Sequence, residues 1–496
     1  MEYLSTRNKS VKVAASQAIV KGISDEGGLF VPVQFPEINI DKLKELATLG
    51  YKDRAKYVLS LYLTDFTKQE LDYCVEGAYA DGKFSSTEIA PIYNLKDSFV
   101  QELWRGPTCA FKDMALQLLP YLLTVSASKS AKDKKIVILV ATSGDTGKAA
   151  LEGFKDVKNT KILVFYPNDG VSPMQKLQMT TQEGENVSVC AIKGNFDDAQ
   201  SGVKSIFTNK EIAEKLAENN MQFSSANSIN WGRLVPQIVY YISAYCDLMK
   251  NGKINAGDKI NIVVPTGNFG NILAAYYAKQ MGLPVNKFIC ASNKNNVLTD
   301  FIKTGEYDKN REFYTTSSPS MDILISSNLE RLLFEIFEKN DEEVKKCMTS
   351  LSENGKYVIP KDVHQRLLED FDAGCCDDTQ TLETIKETYE KENYLLDTHT
   401  AVAVKVFNEY VDKTGDKTPT VIASTANPYK FSKSVLCAIA PDEKVEDEFD
   451  TVDAISRISG VECPTQLATL KGKKPRFTQI CEKSEMVEVV FNMLGI

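Results

Sequence analysis

The 496-residue sequence contains only two histidines, His364 and His399, and this scarcity excludes a histidine-rich metal centre. Its eleven cysteines include no CxxC pair, which suits neither a disulfide framework nor a zinc site. No run of about 18 apolar residues suggests a membrane span, and the N-terminus lacks the apolar core of a signal peptide. With a net charge of -9 and no basic tract, binding to nucleic acid or to an anionic membrane is disfavoured. We therefore expect a cytoplasmic protein without metal, nucleic-acid or membrane partners.

The composition that is present, 43% hydrophobic and 25% charged, is that of an ordinary globular protein. A chain of this length accommodates about two to four domains. We predict a mainly helical N-terminal domain (1–95) and a small mobile α/β lobe (130–225). The remainder (96–129 and 226–496) is predicted to form a large α/β domain with a helical insertion at about 330–395.

Three stretches place an apolar strand before a small polar turn. KKIVILVAT, from Lys134, leads into SGDTG, and KINIVVP, from Lys259, leads into TGNFGN. TVIAS, from Thr420, leads into TANPYKF. Near-continuous Ile and Val runs are typical of strands buried on both faces. Strand, turn and helix at these intervals predict an α/β protein with doubly wound parallel sheets.

Two of these turns are candidate anion sites because each opens a helix. Free backbone N–H groups and the helix dipole favour an anion at a helix start. One turn consists of Ser143, Gly144, Asp145, Thr146 and Gly147, and the other consists of Thr266, Gly267, Asn268, Phe269, Gly270 and Asn271. Neither is a Walker loop or a GxGxxG sequence, so a purely structural turn remains an alternative for the second.

Lys112 is the candidate catalytic residue, within ELWRGPTCAFKDMALQ (102–117). Thr108 is a possible cap for the apolar helical pattern that follows, and Pro120 predicts a kink or break in that pattern. A lysine near apolar walls loses proton affinity and becomes an amine nucleophile. From position alone, a solvated helix lysine is the alternative.

GPTCAFKD around this lysine resembles the lysine motif of the threonine synthases. Further motifs resemble that family in the same order: YLSTR, ATSGDTG, SSANSINWGRLVPQ, PTGNFGNILAA, SPSMDI with SSNLER, LLDTHTAVA and STANPYKF. The resemblance implies the tryptophan-synthase-β-type fold, in which two α/β lobes close over pyridoxal 5'-phosphate (PLP) and the large domain binds it. It also implies conversion of O-phosphohomoserine and water into threonine and phosphate.

The resemblance also implies roles for individual residues. Lys112 would form the Schiff base with PLP and carry protons. The PLP phosphate would lie on Gly267, Asn268, Phe269, Gly270 and Asn271, with Thr425 at the pyridine nitrogen and Asp145 near the 3′-oxygen. The substrate carboxylate would lie on Ser143, Gly144 and Thr146, with Asn227 beside the substrate.

The sequence departs from the family pattern at Arg105 and Asn427, where the family has His, and at Thr398, where it has Pro. Arg105 is a candidate ligand of the substrate phosphate, because a guanidinium can hold a phosphate through two hydrogen bonds. A surface or ion-pair role is the alternative.

Other functions remain open at this point. The motifs also resemble vertebrate threonine-synthase-like proteins, which leaves a phospho-lyase that releases 2-oxobutyrate or a non-catalytic PLP-binding paralogue. A nucleotide-dependent oxidoreductase would carry GxGxxG after an early strand, and this fingerprint is absent. The sequence does not separate a monomer from a homodimer.

Overall fold

The computed structural model describes residues 1–130, 134–169 and 171–496. Its strands are β1 (Glu2–Ser5), β2 (Asn8–Ala14), β3 (Phe30–Pro32), β4 (Ile92–Asn94), β5 (Phe99–Glu102), β6 (Lys135–Ala141), β7 (Thr160–Pro167), β8 (Val187–Ile192), β9 (Met221–Ser224), β10 (Ile260–Pro265), β11 (Val285–Ser292), β12 (Glu306–Asp308), β13 (Lys356–Val358), β14 (Phe371–Cys375), β15 (Thr420–Ser424) and β16 (Ile480–Cys481). Its helices are α1 (Ala15–Lys21), α2 (Ile40–Ala47), α3 (Tyr51–Tyr62), α4 (Lys68–Ala78), α5 (Asp113–Leu116), α6 (Leu119–Ser130), α7 (Asp145–Phe154), α8 (Pro173–Thr180), α9 (Phe196–Thr208), α10 (Lys210–Glu218), α11 (Trp231–Lys250), α12 (Gly270–Gln280), α13 (Val297–Thr304), α14 (Leu329–Ile336), α15 (Asp341–Asn354), α16 (Lys361–Asp370), α17 (Asp378–Glu392), α18 (Thr398–Thr414), α19 (Ser432–Ile439), α20 (Glu448–Ser459), α21 (Thr465–Ala468) and α22 (Met486–Leu494). Short 3₁₀ turns lie at Pro319–Met321, Pro428–Phe431 and Lys483–Glu485.

The larger sheet has the strand order β14-β11-β10-β15-β5-β4, with β4 antiparallel to β5 and the other neighbours parallel. The chain passes from β10 outward to β11 and β14, and then returns to place β15 on the other side of β10. Such a reversal is a topological switch point, where open α/β sheets bind ligands beyond the strands' carboxyl ends. The loops after β10 and β15 therefore flank the expected position of a ligand.

The smaller sheet has the order β16-β8-β7-β6-β9, and its neighbouring strands are parallel. Alternate residues of β6 belong to two different hydrophobic clusters. Ile136 and Ile138 pack in one cluster, and Val137 packs in the other. Both faces of β6 are therefore buried, which explains its near-continuous apolar sequence. A second switch point lies between β6 and β9. The prediction of two doubly wound parallel sheets is confirmed.

Several strands were not indicated by the sequence, and in three parts of the chain they depart from the predicted domains. The N-terminal part is mainly helical, as predicted, but β1, β2 and β3 form an antiparallel sheet. The predicted helical insertion contains β14, an edge of the larger sheet. Strand β16 pairs with β8 of the smaller sheet, although the domain prediction assigned 226–496 to the large unit. Apart from β2, which has seven residues, these strands have two to five residues and are too short to show a hydrophobic period.

The chain around the candidate lysine is interrupted where the sequence predicted. Helices α5 and α6 are separate, and Pro120 is the second residue of α6, where a missing N–H costs little. Lys112 directly precedes α5, as expected. Thr108 does not cap this helix. Its N–H and its hydroxyl donate to the Asp113 carboxylate at 2.8 and 2.7 Å.

Within the described ranges, no helix is long and apolar enough to cross a membrane.

Candidate active site

A cavity of about 1630 Å³ opens at the carboxyl ends of strands from both sheets. Residues that follow β6, β9, β10 and β15 all contribute to its walls, so the two switch points face one space. The predicted site residues that line it are Lys112, Ser143, Asp145, Thr146, Asn227, Gly267, Asn268, Phe269, Gly270, Asn271 and Thr425. Two predicted site residues, Gly144 and Arg105, do not contribute to its walls.

Lys112 is a buried lysine in the wall of this cavity. Its Nζ donates a hydrogen bond to Ser320 Oγ at 3.2 Å and lies 3.6 Å from Asp145 Oδ2. Burial lowers the pKa of Lys112 below its ordinary value, because an ammonium group is poorly solvated there, although Asp145 opposes this shift. A larger fraction of the amine is therefore unprotonated near neutral pH, as a nucleophilic lysine requires.

Backbone contacts fix Lys112 and Thr425 relative to one another. The N–H of Phe111 donates to the carbonyl of Thr425 at 2.8 Å. An isolated antiparallel bridge joins Ala110 to Ala426 next to this contact. The loop that carries the lysine is thereby attached to the carboxyl end of β15, at the first switch point.

Asp145, the first residue of α7, connects two lysines. Its Oδ1 forms an ion pair with Lys430 Nζ at 2.8 Å and accepts a hydrogen bond from Gln175 Nε2 at 2.9 Å, while its Oδ2 faces Lys112. Burial alone would raise the pKa of Asp145, but Lys430 and then Lys112 hold it well below its usual range. Asp145 is therefore a fixed negative charge beside the Lys112 amine.

Gly144 shapes the turn rather than facing the cavity. Its φ of 133° lies in the region that favours glycine, and an added Cβ would lie 2.4 Å from Gln175 Cδ. Its N–H already donates to Thr142 Oγ1 at 3.0 Å, so this amide is not free for a substrate. The prediction that Gly144 binds the substrate carboxylate is corrected accordingly, whereas Ser143 and Thr146 line the cavity.

The loop after β10 presents its amides to the cavity. Phe269, with φ of 63°, adopts the left-handed conformation directly before α12. Two carbonyl groups of the loop accept hydrogen bonds from the segment that precedes α14. Ser326 Oγ donates to Gly267 O at 2.7 Å, and the N–H of Asn328 donates to Asn268 O at 3.0 Å. Among the described residues, the N–H groups of Gly267, Asn268 and Phe269 have no acceptor. Free amides at a helix start suit a phosphate.

Asn271, in the first turn of α12, adds a side-chain donor to this loop. Its Oδ1 accepts hydrogen bonds from the hydroxyls of Tyr240, at 2.8 Å, and Tyr241. Its buried Nδ2 finds no partner within the part of the chain that the structure describes. A buried unsatisfied donor is costly, so an oxygen-rich ligand at this position would stabilise it. The residues present therefore fit a cofactor that carries a phosphate.

Arg105 lies outside the cavity, in an ion pair. Its Nε donates to Glu102 Oε2 at 2.8 Å, and its guanidinium lies 4.3 Å from the centre of the Trp104 ring. Glu102 is buried and also accepts a hydrogen bond from the Tyr394 hydroxyl at 2.8 Å. A buried carboxylate requires a cation, and Arg105 supplies it. The hypothesis that Arg105 binds the substrate phosphate is therefore replaced by the ion-pair alternative.

Three family descriptions match successive parts of the sequence. Residues 2–79 match "Threonine synthase N terminus", residues 84–425 match "Pyridoxal-phosphate dependent enzyme", and residues 400–490 match "Threonine synthase, C-terminal". Threonine synthase of Saccharomyces cerevisiae is 36% identical over 521 aligned positions, which cover 99% of this chain and 97% of that protein. The chain belongs to the threonine synthase family.

Other similar proteins include vertebrate members of this family. "Threonine synthase-like 1" of Homo sapiens is 42% identical over 435 residues, which cover 86% of this chain and 58% of that protein. The chain thus spans less than two thirds of the length of that relative. The PLP-bound threonine synthase structure from Brucella melitensis has a TM-score of 0.87 at 34% identity, covering 99% of both chains. The yeast threonine synthase structure has a TM-score of 0.88 at 33% identity, covering 100% of this chain and 98% of that chain.

Arg233 of this threonine synthase family member was not among the predicted site residues, although it lies within the quoted motif SSANSINWGRLVPQ. It lines the cavity and is 3% exposed. Its Nη1 donates to Ala226 O at 2.9 Å, and its Nε is unsatisfied by any described residue. Burial lowers the pKa of Arg233 to about 10. A buried cation without a carboxylate partner is a candidate anion ligand.

The turn that carries Ser320 was also missed, and it is anchored by His399. The N–H of Ser320 donates to His399 Nε2 at 3.1 Å, and His399 Nδ1 lies 3.1 Å from Asp397 Oδ1. Thr398, where the family has Pro, is the first residue of α18, a position that suits either residue. Ser320 thereby holds its hydroxyl against Lys112.

Proposed function

We propose that this chain converts O-phosphohomoserine and water into L-threonine and inorganic phosphate, with PLP as cofactor. The observation that carries the proposal is that three separate candidate anion-binding groups line the cavity that contains Lys112. They are the start of α12, the start of α7 and the guanidinium of Arg233. PLP brings one phosphate, and O-phosphohomoserine brings a carboxylate and a second phosphate, so three anions match three groups.

The cofactor would be held by residues at the first switch point. Lys112 would carry it covalently, the amides from Gly267 to Asn271 would bind its phosphate, and Thr425 would offer a neutral hydroxyl to its pyridine nitrogen. When bound, PLP supplies an electron sink for the charge left on substrate carbons after proton removal. Asp145 is already engaged by Lys430, which fits a role beside the Lys112 amine.

The substrate would be held across the cavity by the second switch point. Ser143 and Thr146 would bind its carboxylate at the positive end of α7, with Asn227 beside them. Arg233 would bind its phosphate and stabilise the charge that develops as phosphate leaves. The Nζ of Lys112 would remove protons from Cα and Cβ and return one at Cγ after phosphate leaves. Water would then add its oxygen at Cβ and give its released proton to the departed phosphate, and Lys112 would return the other proton at Cα.

Product analysis tests this proposal. Purified protein supplied with PLP and O-phosphohomoserine should release threonine and phosphate in equal amounts, and homoserine, which lacks the phosphate, should not react. Formation of 2-oxobutyrate with phosphate would instead establish a phospho-lyase. Binding of PLP without phosphate release would establish a non-catalytic paralogue.

Two glycines of the α12 loop should respond differently to alanine. A Cβ on Gly267 would lie 2.5 Å from Ser320 O, whereas a Cβ on Gly270 would have Asn328 Nδ2 as its nearest neighbour at 3.4 Å. Gly267→Ala should therefore lower both the melting temperature of the cofactor-free protein and its PLP affinity. Gly270→Ala should lower PLP affinity by about tenfold or more, equivalent to about 1.4 kcal/mol, with little change in that melting temperature.

Calorimetric melting and fluorescence titration with PLP, applied to both variants, measure these two effects. Unchanged PLP affinity in Gly270→Ala would show that the loop is a structural turn.

We also propose that the predicted lobe of residues 130–225 moves as a unit and closes when a substrate carboxylate binds at α7. Amide hydrogen exchange in α7 and α8 should then slow when a substrate analogue is added. Equal exchange with and without the analogue would contradict closure.

A cytoplasmic location, also proposed, is supported by the eleven free cysteine thiols, which suit a reducing compartment.

A further inference from the structure

Lys430 is a fully buried lysine next to the cavity, and the sequence analysis did not assign it a role. Its side chain is 0% exposed. Its Nζ donates hydrogen bonds to Thr108 O at 2.9 Å and Gln178 Oε1 at 3.1 Å, and it forms an ion pair with Asp145 Oδ1 at 2.8 Å. The ammonium thus has two hydrogen-bond acceptors and one counter-charge. Burying such a group is tolerated only with this degree of pairing.

These three partners belong to different parts of the fold. Thr108 lies in the loop after β5 of the larger sheet, whereas Asp145 and Gln178 lie on α7 and α8, beside the smaller sheet. Lys430 itself lies in the 3₁₀ turn after β15, which Asn427 caps by accepting the N–H of Tyr429 at 3.0 Å. Asn427, the departure from the family's usual His, therefore shapes the turn that carries Lys430.

We propose that Lys430 is a positioning residue for the reaction, because it holds the Asp145 carboxylate and thereby leaves the Lys112 amine free to lose its proton. The proposal rests on the proposed function. Asp145 Oδ1 lies 2.8 Å from Lys430 Nζ, whereas Asp145 Oδ2 lies 3.6 Å from Lys112 Nζ. The Asp145 carboxylate is therefore closer to Lys430 than to Lys112. Without Lys430, the full negative charge of Asp145 would act on Lys112 and would stabilise the protonated form of its amine.

The charges around Lys112 comprise two cations that lower its pKa and one carboxylate that raises it. The charged groups that act on Lys112 are Asp145 of α7, Lys430 of the 3₁₀ turn and Arg233 of α11. Asp322 and His399 line the same cavity. Burial, then Lys430 and Arg233, lower the pKa of Lys112, and Asp145 raises it. Removing Lys430 therefore raises the pKa of Lys112 directly and also through Asp145.

The charge of Lys430 also acts on other titratable groups nearby. Burial raises the pKa of Asp113 to about 6, and Lys430 opposes this shift. Burial also raises the pKa of the Cys109 thiol, to about 12. Lys148 lies one turn along α7 from Asp145, but its Nζ pairs with Glu152 at 3.0 Å. Lys148 is therefore a suitable control: a largely buried lysine of the same helix that does not touch Asp145.

The test measures the protonation of Lys112 without substrate. In full-length protein freed of PLP, reductive methylation of Lys112 by formaldehyde and cyanoborohydride is followed against pH, with the labelled peptide identified by mass spectrometry. The rate reports the unprotonated amine. Lys430→Met should move the midpoint upward by about one to three pH units, and Asp145→Asn should move it downward. Lys430→Arg, which keeps the charge, should stay near wild type, and Lys148→Met should not change it.

Opposite shifts from two neighbouring variants distinguish this role from general damage to the fold. If Lys430→Met does not fold, the double variant Lys430→Met/Asp145→Asn removes both charges, and its midpoint should lie below that of Lys148→Met or close to it. A Lys430→Met midpoint equal to wild type, or a double variant shifted upward, would overturn the proposal. Because no substrate is used, failure of wild-type protein to form threonine would refute the proposed function separately.

Discussion

Replacing Lys112 with alanine should lower the rate of threonine formation from O-phosphohomoserine by roughly 10²- to 10⁴-fold or more, and should abolish covalent attachment of PLP. The reason is that one amine serves two purposes in the proposed reaction: it attaches the cofactor and then moves the substrate's protons. Ser320 Oγ, 3.2 Å from Nζ, holds that amine in place. An alanine side chain has no amine and cannot serve either purpose.

Two measurements check this prediction. Threonine and phosphate are quantified over time, and borohydride reduction followed by peptide mass spectrometry shows whether PLP is attached at residue 112. Lys148→Ala is a matched control, since Lys148 is another largely buried lysine and its Nζ is paired with Glu152 at 3.0 Å. It should keep near-normal turnover and normal labelling at Lys112. Retained turnover and a retained borohydride-reducible adduct in Lys112→Ala would show that the assignment is wrong.

The parts of the site that could be predicted from sequence are those with a local signal. A strand-turn-helix pattern is visible as an apolar run followed by glycine and small polar residues, so the loops around Asp145 and Gly267 were found. The lysine at residue 112 was found through a resemblance rather than through its position. The two switch points then brought these segments to one cavity, because parallel strands present their carboxyl ends at the same edge of a sheet.

The parts that sequence reasoning missed depend on the surroundings in three dimensions. Lys430 and Arg233 lie in motifs that had been recognised, but nothing local shows that either cation is fully desolvated. Gly144 illustrates the reverse case, since its positive φ and the lack of room for a Cβ beside Gln175 are set by packing. For Arg105 a signal did exist: Glu102 precedes it by three residues, and this spacing allows the ion pair that the structure contains.

Arg233, rather than Arg105, should determine how well the enzyme uses a phosphorylated substrate. Losing a charge-assisted contact to the leaving phosphate costs roughly 1.5 to 3 kcal/mol, so Arg233→Met should lower kcat/KM for O-phosphohomoserine by about 10- to 150-fold. Arg105→Ala should leave kcat/KM within about twofold, because Arg105 lies outside the cavity in its pair with Glu102.

The melting temperatures of Arg233→Met and Arg105→Ala should change in the opposite order to their kcat/KM values. Comparing the two variants therefore separates a role in binding from a role in stability. Arg233 has no carboxylate partner among the described residues, so replacing it with methionine removes a costly buried charge and should not lower the melting temperature. Arg105→Ala leaves the buried Glu102 carboxylate without its cation, so this variant should have a lower melting temperature than the wild type. With PLP occupying the α12 loop, inorganic phosphate should raise the melting temperature of the wild type and of Arg105→Ala, but not that of Arg233→Met. If Arg233→Met retains wild-type kcat/KM and is still stabilised by phosphate, then Arg233 does not bind the leaving group, and the three-anion argument for the proposed substrate fails.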